Sequence, residues 1–186
     1  MSKKKHRKEI EARPGTGPSG HPPVLRISII LAAVLVAAAY MIRFDSFKKE
    51  HPLSFDESVY SILAVQMTNS PGTYNTIAIY EDSLKKGREL PAYFKMPLFK
   101  HPPMFPWLIK QSYGIFGANY YAAFRVSLLA GVLLIALAYF LGSALFGERT
   151  GIAAALIMFI EPVTWIASQK IWMETTLAFF TVLSLC

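Results

Sequence analysis

Among the side chains of this chain that can move protons or bind anions, six are candidates for a functional site. They are Asp56, Glu57, His101, Arg125, Lys170 and Glu174. A carboxylate can take a proton from a nucleophile or bind a divalent cation. Arginine, lysine and histidine can bind a phosphate through charge-assisted hydrogen bonds. If the fold brings these groups together, they suit the transfer of a group from a phosphate-linked donor.

The acidic pair Asp56-Glu57 has both a structural and a functional explanation. The spacing Ser54-x-x-Glu57 matches a capping box at a helix start, and Asp56 would lie at the second helical position, near the positive end of the helix dipole. In the functional interpretation, the same helix end keeps Asp56 ionised, so that it accepts a proton or holds a cation.

The other candidates have structural explanations as well. Arg125 precedes a long apolar run, so its side chain either extends to the membrane surface or contacts an anion there. A histidine such as His101 is by itself more often a surface residue than a ligand, and Lys170 falls at the rim of an apolar run. Glu174 opens the next apolar segment, where an acidic residue favours the helix dipole.

The composition favours a membrane protein over a nucleic-acid-binding one. Of the 186 residues, 53% are hydrophobic and 17% are charged, which is below the charged fraction of soluble domains. Lys and Arg outnumber Asp and Glu by 19 to 12, but residues 1–23 hold six basic residues against two acidic ones. The basic excess therefore lies mainly in a tail, and we expect no nucleic-acid partner. The one cysteine, Cys186, excludes a disulfide framework and a cysteine-based zinc site.

Apolar runs predict an all-α membrane protein with multispanning helices, because about 20 apolar residues cross a bilayer. The predicted segments are a disordered basic tail at 1–23, spans at 24–44, 124–147 and 151–169, and the start of a fourth span at 173–186. Arg26 and Arg43 flank the first span, where their long side chains can reach the two membrane surfaces. Because the last span is cut short, we interpret the chain as the N-terminal fragment of a longer protein.

The charge distribution predicts the orientation. Basic residues stay in the cytoplasm, so the tail is inside and residues 45–118 form an extracytoplasmic loop. Helical spacing of apolar residues in this loop predicts interfacial amphipathic helices at about 55–68 and 104–116. Cleavage of a signal peptide at Ala37-Ala38-Ala39 is an alternative, and it leaves the loop outside as well. All six candidate side chains then fall at the outer membrane surface.

The order of motifs resembles that of the GT-C membrane glycosyltransferases, in the broad group of protein O-mannosyltransferases and lipid A aminoarabinose transferases. The motifs that carry this resemblance are Phe55-Asp56-Glu57-x-x-Tyr60, Lys100-His101-Pro102-Pro103, Arg125, the turn Leu145-Phe146-Gly147, and Glu174. Each motif is weak alone, but their order along residues 24–186 follows the pattern of the family.

The resemblance implies an inverting glycosyltransferase with a polyprenyl-phosphate-linked sugar as donor. Asp56 matches the catalytic base, Arg125 and His101 match positions near the donor phosphate, and Glu174 matches a second acidic position. We place Glu57 and Lys170 with the substrate-binding residues.

The resemblance leaves the cofactor and the acceptor open. The acceptor is a protein, a lipid or a glycan. No cofactor is certain: a divalent metal is possible, but Lys100-His101 stands where some members carry an acid before Lys-Pro-Pro, and no metal ligands are identified. We expect a multi-pass protein of the plasma membrane with its site on the outer face, and no catalysis by this fragment alone.

A membrane transporter or flippase of lipid-linked or anionic substrates is the alternative function. Glu161, followed by Pro162, lies about 15 Å into an apolar run by helical rise. Acids at such depth face protein or water and often mark ion pathways. Glu161 either serves such a pathway or stabilises the kink at the proline.

Overall fold

Helices and their connections make up the whole of the described chain. The computed structural model describes residues 23–47, 53–70, 74–80 and 84–186. Its α-helices are α1 (Pro23–Phe47), α2 (Phe55–Asn69), α3 (Met104–Phe116), α4 (Tyr120–Phe146), α5 (Glu148–Ile160), α6 (Pro162–Ala167) and α7 (Glu174–Leu183). Two short 3₁₀ helices, Ile77–Tyr80 and Ala92–Lys95, lie between α2 and α3. These ranges contain no β-strand, which confirms the predicted all-α class. Residues 1–22, which make up nearly all of the predicted tail, lie outside the described residues.

Among the described residues, two helices are long and apolar enough to cross a membrane. They are Ile27–Ser46 within α1 and Tyr120–Phe146, which is α4. Helix α5 has 13 residues and ends at Glu161-Pro162, where the chain breaks before α6. The run 151–169 is therefore divided between two helices.

Helix α4 is the centre of the bundle and packs against α1, α3, α5 and α7. Leu128, Val132 and Ile135 of α4 are buried in the core. The approach of α5 to α4 is close because small residues line it: a Cβ added to Gly151 would collide with Ser143.

The bundle has two ends, which we call the turn end and the loop end. At the turn end, Gly147 connects α4 to α5 with a positive φ of 88°, a conformation that suits glycine. Glu148 accepts hydrogen bonds there from Ser28 of α1 and from Tyr139 of α4 (2.7 Å). Since these contacts join the start of α1 to the end of α4, the two helices run antiparallel. The loop end carries α2, α3 and the linker between α6 and α7.

The prediction that Arg43 extends to a membrane surface is wrong. Its side chain is 0% exposed and lies inside the bundle. The guanidinium donates hydrogen bonds to the backbone oxygens of Gly131 and Phe159 and to the Ser168 hydroxyl. It also lies 5.3 Å from the centre of the Trp165 ring. These acceptors lie on three different segments. The position of the Arg43 side chain therefore depends on tertiary packing and does not follow from the sequence of α1 alone.

Candidate functional site

The first turn of α2 is built by the capping box that the sequence predicts. The Ser54 hydroxyl accepts from the Glu57 backbone N–H at 3.4 Å, and the Glu57 carboxylate accepts from the Ser54 N–H at 2.8 Å. Asp56, one position earlier, is exposed. At the helix start, the Asp56 side chain is therefore exposed, whereas the Glu57 side chain points into the protein.

Glu57 is completely buried and connects three segments. Besides Ser54, its carboxylate accepts from the Tyr120 hydroxyl at 3.1 Å and from the Ile171 N–H at 3.0 Å. Burial by itself raises the pKa of Glu57, but the hydrogen bonds from Ser54, Ile171 and Tyr120 outweigh it and hold the pKa below the ordinary value. The carboxylate is therefore ionised and occupied by protein donors. Its contact with a substrate stays a prediction.

Tyr60 lies at the centre of the candidate site. Its ring makes edge-to-face contacts with the rings of His101 and Phe105, each at 5.0 Å between centroids. Burial, together with the negative charges of Glu174 and Asp56, raises the pKa of Tyr60 to about 12. His101 thus contacts the Tyr60 ring, and the charges of Asp56 and Glu174 are near enough to influence its hydroxyl electrostatically.

His101 is held by the segment that precedes α3. Its backbone oxygen accepts from the Tyr74 hydroxyl at 2.7 Å, and its N–H bonds to the Leu98 oxygen at 3.0 Å. Partial burial lowers the pKa of His101; the nearby charge of Asp56 opposes this less strongly, and that of Lys100 adds to the lowering. At neutral pH the imidazole is therefore in its neutral form, which can donate one hydrogen bond and accept one.

Arg125 lies beside a groove between α3, α4 and α7. Its guanidinium stacks 4.0 Å from the centre of the Phe116 ring. The groove has a volume of about 270 Å³ and is almost entirely apolar, with Leu129 and Phe180 among its lining residues. Its polar lining includes Thr176, whose hydroxyl is buried without a partner in the described part of the chain. A cation and a hydroxyl therefore border a slot that suits a hydrocarbon chain.

Lys170 lies in the linker between α6 and α7. Its ammonium is 5.6 Å from the centre of the Trp172 ring. Glu174 opens α7 four residues later and is exposed. The first turn of α7 connects the two parts of the site, because it carries both Glu174, whose charge influences Tyr60, and Thr176, which lines the groove.

Glu161 stabilises the break between α5 and α6. Its carboxylate accepts from the N–H groups of Val163 and Thr164 and so caps α6. This is the structural role that the sequence left open for Glu161, and it provides an explanation that needs no ion pathway.

The described residues contain no group of three or more His, Cys, Asp or Glu side chains that could hold a metal ion. Mg²⁺ is often held by one or two carboxylates together with waters, and Asp56 and Glu174 are the exposed acids of the candidate site. The divalent metal that the resemblance leaves open stays a prediction.

Two residues of the site have no role in the prediction from sequence. Tyr60 belongs to the motif that begins at Phe55, and its spacing of four from Asp56 places both residues near one helix face, which could have indicated it. Thr176 follows Glu174 in an apolar segment, and no pattern of the sequence distinguishes it from other helix threonines.

Comparison with known proteins adds a family. Residues 100–186 match the family model described as dolichyl-phosphate-mannose-protein mannosyltransferase. No curated protein and no solved structure matches the chain. The matched segment contains His101, Arg125, Lys170 and Glu174, whereas Asp56 lies before it. The match confirms the resemblance of the motifs: over residues 100–186, the chain is similar to this mannosyltransferase family, whose members are membrane glycosyltransferases that use lipid-linked sugar donors.

Proposed function

We propose that the protein transfers a sugar from a polyprenyl-phosphate-linked donor to an acceptor hydroxyl, with Asp56 as the general base. The observation that supports the proposal is that Tyr60 contacts His101 and is influenced by the charges of Asp56 and Glu174, while Arg125 borders an apolar groove whose lining includes the first turn of α7. Acidic groups for proton transfer and cationic groups for a phosphate meet at the loop end of one bundle.

The groove suits the lipid part of the donor. Its lining is almost wholly apolar, so a prenyl chain removes apolar surface from water or lipid there at little polar cost. Arg125 at its border can bind the phosphate with two parallel hydrogen bonds. The donor's sugar would then lie over the first turn of α7, towards Tyr60 and Glu174.

The reaction requires one bond to form and one to break. The acceptor oxygen attacks the anomeric carbon from the face opposite the phosphate, and the bond from that carbon to the phosphate oxygen breaks. Its electron pair leaves with the polyprenyl phosphate, and the acceptor proton passes to Asp56. Because attack is from the opposite face, the anomeric configuration inverts. Asp56 is exposed at the helix start and can receive this proton, while Arg125 and His101 stabilise the phosphate as its charge grows.

The orientation follows from the tail. Six basic residues among positions 1–23 favour retention in the cytoplasm. Helix α1 then crosses outwards and places the loop end, with the site, on the extracytoplasmic side of a multi-pass protein of the plasma membrane. The acceptor, a protein, a lipid or a glycan, would approach from that side.

Replacement of Asp56 by Asn tests the proposed base. We expect the full-length protein with Asp56→Asn to lose about 10²-fold or more in kcat with polyprenyl-phosphate mannose, because a general base contributes about that much. Donor binding, measured by equilibrium binding of the lipid, should stay unchanged. Glu89→Gln, at an exposed carboxylate of the same loop, is the matched control. Unchanged transfer in Asp56→Asn would refute the assignment.

A further inference from the structure

The linker between α6 and α7, which we define as residues 168–173, is anchored to the rest of the bundle. It contains Lys170 and leads into Glu174. On the loop side, the Ile171 N–H donates to the Glu57 carboxylate at 3.0 Å. On the bundle side, the Ser127 hydroxyl of α4 donates to the Trp172 oxygen at 2.9 Å. Ile171 itself is fully buried, so the middle of the linker has little freedom to move.

Arg43 holds the start of the same linker. Its guanidinium donates to the Ser168 hydroxyl at 3.2 Å, and that hydroxyl donates in turn to the Trp165 oxygen at 2.9 Å. The guanidinium also bonds to Gly131 of α4 and to Phe159 of α5. One side chain of α1 therefore ties the linker to two other helices.

The space around this contact is tight. A Cβ added to Gly131 would lie 2.5 Å from the Ser168 Cβ and 3.2 Å from the Arg43 Nη1. Real Cβ atoms do not approach so closely, so any side chain at position 131 must displace the linker or Arg43. The close contact with the backbone of Gly131 therefore determines the position of Ser168, together with the hydrogen bond from Arg43.

A cation inside a membrane bundle is costly, and apolar side chains of similar volume often pack there with equal or greater stability. Glu161 is the charged neighbour that favours the Arg43 cation electrostatically. Stability alone therefore does not explain why position 43 of α1 carries a charged residue. A role of Arg43 in fixing the geometry of the linker explains it.

We propose that Arg43 is a positioning residue, which together with Glu57 holds the linker and so sets the positions of Lys170 and Glu174 relative to Asp56. This inference rests on the proposed function for its catalytic consequence, but the positional part stands on the contacts themselves. Neither side chain needs to touch the donor, because both act through the backbone and hydroxyl groups of residues 168–171.

Gly131→Ala in the full-length protein tests the inference without removing a charge. Gly114→Ala in α3 is the matched control, because a Cβ at Gly114 meets nothing within 4 Å. Spin labels on cysteines at Phe55 in α2 and Leu177 in α7, with Cys186 replaced by serine, report the distance between the two sides of the site. Both positions are more than half exposed, at 72% and 56%, and neither is a predicted site residue.

We expect Gly131→Ala to shift or broaden the distance distribution between the labels and to lower kcat by about 10²-fold, since a displacement near 1 Å can cost this much. The KM for polyprenyl-phosphate mannose should change by a smaller factor than kcat, because Arg125 and the groove that hold the donor lie outside the linker. Gly114→Ala should alter neither measurement. Arg43→Met should reproduce the effect of Gly131→Ala, with Ser28→Ala, a buried polar residue at the other end of α1, as its control.

Two results would overturn the inference. One is an unchanged distance distribution in both Gly131→Ala and Arg43→Met. The other is a changed distribution with full transfer activity, which would show that the linker's position does not matter for the reaction. If the wild type fails to transfer the sugar, the proposed function fails, while the distances still decide whether Arg43 positions the linker.

Discussion

Asp56 and Glu57 are neighbours in the first turn of α2, yet their carboxylates lie in opposite surroundings. Successive residues of a helix point about 100° apart, so one of the pair faces outwards when the other faces α4. Asp56 is exposed, and Glu57 accepts hydrogen bonds from Ser54, Tyr120 and Ile171. The exposed acid is available for proton transfer, and the buried acid joins the helix to the rest of the site.

Replacement of Glu57 by Gln should destabilise the fold by about 1–3 kcal/mol, because an amide cannot satisfy all the donors that the carboxylate accepts. The pKa of Glu57 is lowered in the folded protein. Its contribution to stability is therefore complete above the ordinary carboxyl pKa and is lost as the pH falls through the lowered one. Thermal unfolding in detergent between pH 7 and acid should show a smaller pH dependence for Glu57→Gln than for the wild type. Equal pH dependence of the two proteins would contradict this assignment, and Glu89→Gln controls for the loss of a surface charge.

At the scale of the element, the break between α5 and α6 shows how a proline within an apolar run is accommodated in the structure. Pro162 cannot donate a backbone hydrogen bond, so α5 ends before it. The Glu161 carboxylate then accepts from Val163 and Thr164, at the start of α6. Glu161, an acid within an apolar run, therefore accepts hydrogen bonds from the backbone of its own segment.

Glu161→Ala should therefore lower stability by about 1 kcal/mol, as the loss of a helix cap does. Glu161→Asp should retain most of the stability, because aspartate is also a good capping residue. Unfolding midpoints of the two variants in detergent, measured together with sugar transfer, check this expectation. A large loss of transfer in Glu161→Asp at unchanged stability would favour a direct functional role, such as the ion pathway of a transporter.

At the scale of the whole molecule, the turn end and the loop end lie at opposite ends of the bundle. Ser28, Tyr139 and Glu148 meet at the turn end, whereas the candidate site occupies the loop end. Since α1 and α4 are long enough to span a membrane, the proposed orientation places the two ends on opposite sides of it.

Cysteine labelling of intact cells tests this orientation. Glu89 in the loop and Arg149 at the turn end are both exposed, so a cysteine at either position can react. In the full-length protein with Cys186 replaced by serine, we expect a membrane-impermeant maleimide to label position 89 and not position 149. Permeabilised cells, in which both positions should react, are the control. Labelling of position 149 alone would reverse the orientation and place the site in the cytoplasm.

Patterns that depend on near neighbours in sequence were predictable. The capping box at Ser54 and Glu57, the helix over Met104–Phe116 and the apolar run of α4 follow from propensity and hydrophobicity. Packing divides the apolar residues of α2: Val59 and Leu63 are buried, whereas Phe55 is 72% exposed. Periodicity predicts which residues share a helix face, but the segment that packs against the helix decides which of these residues are buried.

The sequence by itself determined the helices, the apolar spans and the residue types of a phosphate-linked transfer reaction, because these depend on composition and local spacing. Only the tertiary structure decided that the Tyr60 ring packs between those of His101 and Phe105, and that Arg43 is buried rather than directed to a membrane surface. The partners of these side chains are distant along the chain. Nothing in the sequence distinguishes a hydrogen-bond acceptor such as the Gly131 oxygen from other backbone oxygens. Packing of separate helices creates such sites, and it is visible only once the helices are in place.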